Sequence, residues 1–245
     1  FADFANGSLE LPFVGMVVSA AGTVLLPTFS KMISEQVNID SAVDLWKRTA
    51  VKSAYIIYPL VVFFWFFAFD TMTFLYGDNY AASATYFKTM LCVNLFTIIP
   101  FYPIILALGK TKEYARNHMI NFFMVWAMEY VVVLIFDDAY AITVVSVICH
   151  IIKIFMMLTV VANAIKVSLS QLLPVRQLFK ISVNCIAAGF ISWTVVNILP
   201  FSNIKILSLI LGFVVFIGIT FLLSKPLKLD YMSVVKPVLL KYIKK

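Results

Sequence analysis

Four polar side chains recur along one apolar stretch of the chain at a spacing that places them on one helix face. They are Thr143, Ser146, His150 and Lys153, at positions i, i+3, i+7 and i+10. A lysine at the centre of a membrane-spanning helix costs about 2.5–3.5 kcal/mol on insertion scales, so we expect it to have a partner. Glu129, in the preceding apolar stretch, is the buried carboxylate that the sequence offers.

The polar face has three interpretations that the sequence leaves open. The side chains of Glu129, His150 and Lys153 could line a cavity that receives an anionic group. They could form a proton or ion site. Glu129 and Lys153 could also be a pair that only locks two helices together, because removing one partner of a buried pair strands the other charge.

An earlier apolar stretch adds a polar residue and two prolines. Asn94 is a further candidate for binding or coupling, and it shares a predicted helix face with Thr97. Pro100 and Pro103 lie close together, and prolines break the helical hydrogen-bond ladder. We therefore consider them, together with Pro27, as hinge candidates, with a static kink as the alternative.

Residue sets that support enzymatic chemistry are scarce. His118 and His150 have no cysteine or paired carboxylate at metal-ligand spacing. Gly109-Lys110-Thr111 resembles the end of a phosphate-binding loop, but position 104 is Ile rather than Gly. The three cysteines lie in apolar runs and indicate neither a disulfide framework nor a thiolate site. We predict a protein that is not an enzyme and has no metal and no cofactor.

The elements that position these side chains are long apolar runs. Hydrophobic residues make up 62% of the 245 residues and charged residues 13%, and the mean hydropathy is +0.98. This composition excludes an ordinary water-soluble domain. The sequence predicts an all-α, polytopic transmembrane helix bundle with seven spans, each about long enough for a bilayer core. The spans are residues 11–30, 53–69, 89–109, 117–136, 139–163, 181–199 and 206–224.

Basic residues mark alternate loops, which predicts the orientation. Lysines and arginines concentrate after spans one, three, five and seven, and positive residues favour cytoplasmic loops. We predict that residue 1 lies outside the cell and residue 245 in the cytoplasm, and that the positive charge contacts membrane lipids rather than nucleic acid. The segments 41–52 and 225–245 are interpreted as amphipathic helices on the inner membrane surface. The basic residues are Lys31, Lys47, Arg48 and Lys52; Lys110, Lys112 and Arg116; Lys166, Arg176 and Lys180; Lys225, Lys228, Lys236, Lys241, Lys244 and Lys245.

Two motifs in the first third of the chain carry a family resemblance. The first comprises residues 4–7 (FANG), 10–15 (ELPFVG) and 23–31 (TVLLPTFSK), and the second is 75–83 (LYGDNYAAS). Both are similar to signatures of the Wzx-type polysaccharide flippases, a branch of the multidrug/oligosaccharidyl-lipid/polysaccharide exporter superfamily. The rest of the chain is similar to that family only in its pattern of spans.

The resemblance implies a place within a larger transporter. Seven spans that begin outside match helices 8 to 14 of a fourteen-helix, two-lobed exporter, so we expect residues 1–245 to be the C-terminal lobe of a chain whose N-terminal lobe is absent here. The implied location is the bacterial inner membrane, and the implied context is the synthesis of O-antigen and lipopolysaccharide.

The implied activity is the transfer of a lipid-linked oligosaccharide, a polyprenyl-diphosphate glycan, across the membrane by alternating access. A glycan polymerase is a candidate second partner. Two alternatives stay open: a drug/cation antiporter of the same superfamily, and a membrane scaffold of a glycan-assembly complex that transports nothing.

Overall fold

All regular secondary structure in the described part of the chain is helical. The computed structural model describes residues 2–35, 39–98, 101–136, 138–199, 204–234 and 236. These residues form eleven α-helices and one 3-10 turn, Asp78–Tyr80. The helices are α1 Ala2–Gly7, α2 Pro12–Ser34, α3 Ile39–Phe66, α4 Ala68–Tyr76, α5 Ser83–Asn94, α6 Phe101–Ala107, α7 Thr111–Phe136, α8 Ala139–Ala164, α9 Leu169–Leu172, α10 Val175–Ile198 and α11 Lys205–Leu227.

The predicted fold class is confirmed, because the described residues give an all-α chain with several helices of membrane-crossing length. Six of these helices are long and apolar enough to cross a bilayer. The chain is therefore a multi-pass membrane protein. The six helices are α2, α3 from Asp40 onwards, α7, α8, α10 and α11.

The predicted third span, residues 89–109, is interrupted by non-helical backbone after Asn94. The chain there forms two shorter helices, α5 and α6. Helix α5 ends at Asn94 and is followed by a turn at Leu95 and Phe96. The helical hydrogen bonds stop with Thr97, whose amide still donates to Val93 O. Residues 99 and 100 lie outside the described part of the chain, so the hinge candidate Pro100 does too.

The prediction of a separate surface helix over 41–52 is wrong. Residues 41–52 belong to α3, which continues without interruption to Phe66 and passes through Pro59. Trp46 lies in this first part of α3 and is fully buried rather than resting on a membrane surface. The second predicted span therefore starts about four turns too late. The larger part of the other predicted surface segment, 225–245, lies outside the described residues.

The chain divides into two compact units. The first unit comprises Glu10–Ser53 and Cys92–Val175, and the second comprises Ala2–Leu9, Ala54–Leu91 and Arg176–Lys245. In the first unit α7 and α8 form an antiparallel hairpin. Asp138 caps α8 because its carboxylate accepts a hydrogen bond from the backbone N–H of Tyr140, 3.0 Å away.

Packed aromatic rings and Gly212 form part of the core of the second unit. The ring of Phe63 stacks on Phe67, with centroids 4.8 Å apart, and also meets Phe213 and Phe216. Gly212 is in close contact with Phe67, because a Cβ placed there would lie 2.5 Å from that ring. Small residues allow helices in a bilayer to approach closely, so this glycine sets how near α11 lies to the start of α4.

Candidate functional site

A cavity of about 290 Å³ lies inside the first unit, among α2, α6, α7, α8 and the break before α6. Its size is at the lower end for a small-molecule site. The wall combines cationic, aromatic and aliphatic side chains, and the residues on it are Val18, Thr97, Phe101, Tyr102, Tyr114, His118, His150, Lys153, Ile154 and Met157.

One wall of the cavity carries its basic groups. His150 and Lys153 are three residues apart on α8 and therefore point to the same side, and His118 reaches the cavity from α7. The Lys153 side chain is partly buried. Within the described residues no carboxylate lies within ion-pairing distance of it. A phosphate or carboxylate that entered the cavity would meet an ammonium group that pairs with no carboxylate in the described part of the chain.

Aromatic rings line the cavity beside His118. The Tyr114 ring lies 4.4 Å from the His118 ring and 5.3 Å from the Tyr102 ring, measured between centroids. Tyr114 and His118 are four residues apart on α7, so the helix itself brings the two rings together. Tyr102 is supplied by α6. The three rings give the cavity an amphipathic surface with hydroxyl and imidazole groups at its edge.

Glu129 does not pair with Lys153. Its carboxylate accepts a hydrogen bond from the Ser146 hydroxyl, whose oxygen also lies 3.0 Å from the Ile142 backbone carbonyl oxygen. Ser146 lies about one turn before His150 on α8. Its contact with Glu129 therefore places Glu129 closer to Asp138 along the hairpin than Lys153 is. The Glu129–Lys153 lock that the sequence left open is not formed.

Of the other candidate residues, Asn94 and Pro27 are not among the described residues that line the cavity. Asn94 is the last residue of α5, whereas Thr97 follows in the break and lines the cavity, so the two do not share a helix face. Pro27 lies within α2, which continues to Ser34. Pro103 lies in α6, between Tyr102 and Ile104.

Sequence reasoning missed the aromatic side of the cavity. His118 enters the sequence-based predictions only as a histidine without metal-ligand partners, and Tyr102 and Tyr114 are not among the candidate residues. The spacing of Tyr114 and His118 was a usable signal, because i and i+4 residues of a helix meet. The position of Tyr102 depends on the break between α5 and α6, which hydropathy does not reveal.

Comparisons with known proteins give no match: none of the protein-family models, curated proteins or solved structures compared is similar to this chain. Among the described residues no group of three His, Cys, Asp or Glu side chains is placed to hold a metal ion. The groups that line the cavity are basic and aromatic, and this combination suits an anion carried by a larger, partly apolar molecule.

Proposed function

We propose that this chain is part of a flippase that moves a lipid-linked oligosaccharide with a diphosphate head group across the bacterial inner membrane. The observation that carries the proposal is the position of Lys153, on a membrane helix, in a cavity that it shares with His118 and His150 and without a carboxylate partner among the described residues. The motifs at 4–31 and 75–83, which resemble those of polysaccharide flippases, support it.

The depth of Lys153 suits such a role. Counting about 1.5 Å per residue, Lys153 lies roughly 21 Å from the Ala139 end of α8 and roughly 16 Å from the Ala164 end. The middle of a bilayer core lies about 15 Å from either surface. Secondary transporters hold their substrates near the midplane, where access can alternate between the two sides. A lysine at this depth is costly unless it meets water, a partner or a substrate.

The energy of the interaction is of the right size for recognition. Hydrogen bonds between charged groups contribute about 1.5–3 kcal/mol, more than neutral ones. One ammonium and two imidazoles around a diphosphate would therefore distinguish it from an uncharged alcohol by at least tenfold in affinity. The adjoining rings of Tyr102 and Tyr114 give an amphipathic surface for the parts of the substrate that flank the phosphates.

Cation antiport is the second candidate, and Glu129 is the observation that favours it. A carboxylate within a membrane helix is expensive and often belongs to an ion or proton path. The hydrogen bond from Ser146 holds the Glu129 carboxylate against α8, one turn from His150. Flippase activity and antiport differ in the residue that binds the transported molecule, Lys153 in the first case and Glu129 in the second.

Binding to the full chain in lipid nanodiscs tests the proposal. The probes are farnesyl diphosphate, farnesyl monophosphate and farnesol, which share a lipid tail and differ in charge. We expect the diphosphate to bind at least about tenfold more tightly than farnesol, and Lys153→Gln to remove most of this difference. Lys112→Gln is the matched control, because Lys112 lies on an exposed site at the start of α7 and its loss changes the net charge equally.

Two results would contradict the proposal. The first is equal affinity of the unmodified protein for farnesyl diphosphate and farnesol. The second is an equal effect of Lys153→Gln and Lys112→Gln, which would show that the probe responds to overall charge rather than to the cavity. Binding of an organic cation that Glu129→Gln abolishes, together with either result, would favour the antiporter instead.

A further inference from the structure

The segment that follows α11 folds back onto the second unit. Lys228 has a left-handed backbone conformation, with φ at 55°, and the Leu229 amide donates to Ser224 O, 3.0 Å away. This arrangement ends α11 and reverses the chain direction. Residues 229–234, here called the latch segment, then lie beside the helices they follow. The Asp230 amide donates to the Tyr55 hydroxyl of α3 at 3.2 Å.

Tyr231 is the residue by which the latch segment enters the core. Its side chain is only 6% exposed, and its ring lies 4.7 Å from Tyr55 and 5.9 Å from Phe221, measured between centroids. The Tyr231 hydroxyl accepts a hydrogen bond from Asn184 Nδ2 at 3.0 Å and lies 3.5 Å from Cys185 Sγ. One side chain thus connects α3, α10 and α11.

The groups that Tyr231 covers form a buried polar seam between α10 and α11. Asn184 Nδ2 also donates to the Thr220 backbone carbonyl at 3.2 Å. Asn184 Oδ1 and Thr220 Oγ1 are both buried, and neither has a hydrogen-bond partner within the described residues. A buried polar atom without a partner destabilises the state that buries it. The closed arrangement therefore leaves polar groups unsatisfied that water would satisfy if the seam opened.

The chemistry of the phenol fits a contact that is neutral and breakable. Burial raises the pKa of Tyr231, so the hydroxyl stays protonated at physiological pH. The contact consists of one hydrogen bond, a weak sulfur contact and ring packing, and no ion pair between described residues involves the latch segment. Each of these interactions is individually weak.

We propose that Tyr231 is a reversible latch: its insertion closes the polar seam at Asn184, Cys185 and Thr220, and its withdrawal opens the seam to water. The unsatisfied oxygens of Asn184 and Thr220 lower the cost of opening, while the rings of Tyr55 and Phe221 hold the closed state. The inference is independent of what the cavity in the first unit binds.

Cys185 provides a reporter of the latch in the full chain, because it is 0% exposed while Tyr231 is inserted. The measurement is the rate at which a small water-soluble methanethiosulfonate modifies Cys185 in a protein with Cys92→Ala and Cys149→Ala. When closing is fast, this rate follows the population of the open state. Tyr231→Phe keeps the ring and loses the hydroxyl, so we expect modification about fivefold faster. Tyr231→Ala loses the ring as well, and we expect at least about thirtyfold.

Two controls separate a latch from general loosening. Cys149 on α8 is as deeply buried as Cys185, so a matching protein that retains only Cys149 should show no acceleration from either Tyr231 variant. Tyr130→Phe removes a hydroxyl from an exposed tyrosine and should leave the Cys185 rate unchanged. An unchanged Cys185 rate in Tyr231→Phe and Tyr231→Ala would overturn the proposal, and so would equal acceleration at Cys149.

Discussion

Glu129 and Lys153 are side chains of opposite formal charge deep in the α7–α8 hairpin, and they have different surroundings. Glu129 bonds to Ser146, whereas Lys153 faces the cavity. Charges that share a hydrogen-bond network couple strongly, and charges without shared partners do not. Whether the two side chains act as one structural pair or as two independent groups is therefore a question of coupling free energy.

A double-mutant cycle measures that coupling. We expect the effects of Glu129→Gln and Lys153→Gln on the free energy of unfolding to add within about 0.5 kcal/mol, because no ion pair joins the side chains. The measurement is unfolding in detergent micelles with increasing denaturant. A coupling of about 3 kcal/mol or more would show that the residues form the buried pair that the sequence suggested.

A second cycle gives the positive control for the first. Glu129→Leu and Ser146→Ala remove the acceptor and the donor of a hydrogen bond, so these substitutions should couple by about 1.5–3 kcal/mol in the same unfolding experiment. Additivity in this cycle would mean that the Ser146–Glu129 bond contributes nothing to stability, and the argument from separate surroundings would lose its basis.

The sequence predicted the cationic side of the cavity but not the partners within it. The spacing of His150 and Lys153 follows from helix geometry alone, and both residues line the cavity. The partner of Glu129 depends on the rotation and register of α7 against α8, which the turn at Asp138 determines. Periodicity gives a face to each helix and does not give the register between two helices, so the choice between Ser146 and Lys153 could not be made.

The packing of α11 depends on a glycine that the sequence alone does not single out. Gly212 and Gly218 lie on the same helix, but a Cβ at Gly212 would approach Phe67 within 2.5 Å, and a Cβ at Gly218 would meet nothing within 4 Å. Phe67 is 1% exposed and stacked on Phe63, so its ring has little room to move. Hydropathy treats the two glycines alike, because only the neighbouring helix distinguishes them.

Alanine at the two glycines should have opposite effects on stability. We expect Gly212→Ala to lower the free energy of unfolding by about 1–3 kcal/mol through overpacking against Phe67. Gly218→Ala, the matched control, should raise it by about 0.5–1 kcal/mol, because glycine within a helix is less stable than alanine. Thermal unfolding in the same detergent measures both. Equal effects of the two substitutions would show that the close contact does not constrain α11.

The predicted elements agree with the structure where a helix is continuous and fail where it is interrupted. Spans one, four, five, six and seven correspond to α2, α7, α8, α10 and α11, with ends that differ by a few residues. Span three has the composition of a continuous helix but divides into α5 and α6. Its break leaves Thr97 on the cavity wall, and non-helical backbone is tolerated in a bilayer only where it lines a cavity or is covered by protein. The stability of the break thus depends on tertiary surroundings that the sequence pattern does not contain.

The topology of the whole molecule depends on whether α5 and α6 together cross the membrane. If the six long helices are the only crossings, Thr111 lies on the same side as Gly77, and every later loop is inverted. The helices α5 and α6 contain 12 and 7 residues, and at about 1.5 Å per residue they span roughly 28 Å before the break is counted. That length is close to the about 30 Å of a bilayer core.

The distribution of basic residues favours the topology in which α5 and α6 together cross the membrane. With a crossing at α5–α6, all four basic segments, including Lys110, Lys112 and Arg116 before and within α7, lie in the cytoplasm, as the distribution of positive charge favours. Without this crossing, Lys166, Arg176, Lys180 and the lysines after α11 would all lie outside.

We therefore expect single cysteines at Ser8 and Asp138, in a protein without other cysteines, to react with a membrane-impermeant thiol reagent applied to intact cells. Cysteines at Thr111 and Ser233 should react only after the inner face is exposed. Labelling of Ser8 and Thr111 from outside, with Asp138 protected, would show that α5 and α6 return to the side from which they came, and it would contradict the correspondence to helices 8 to 14 of a two-lobed exporter.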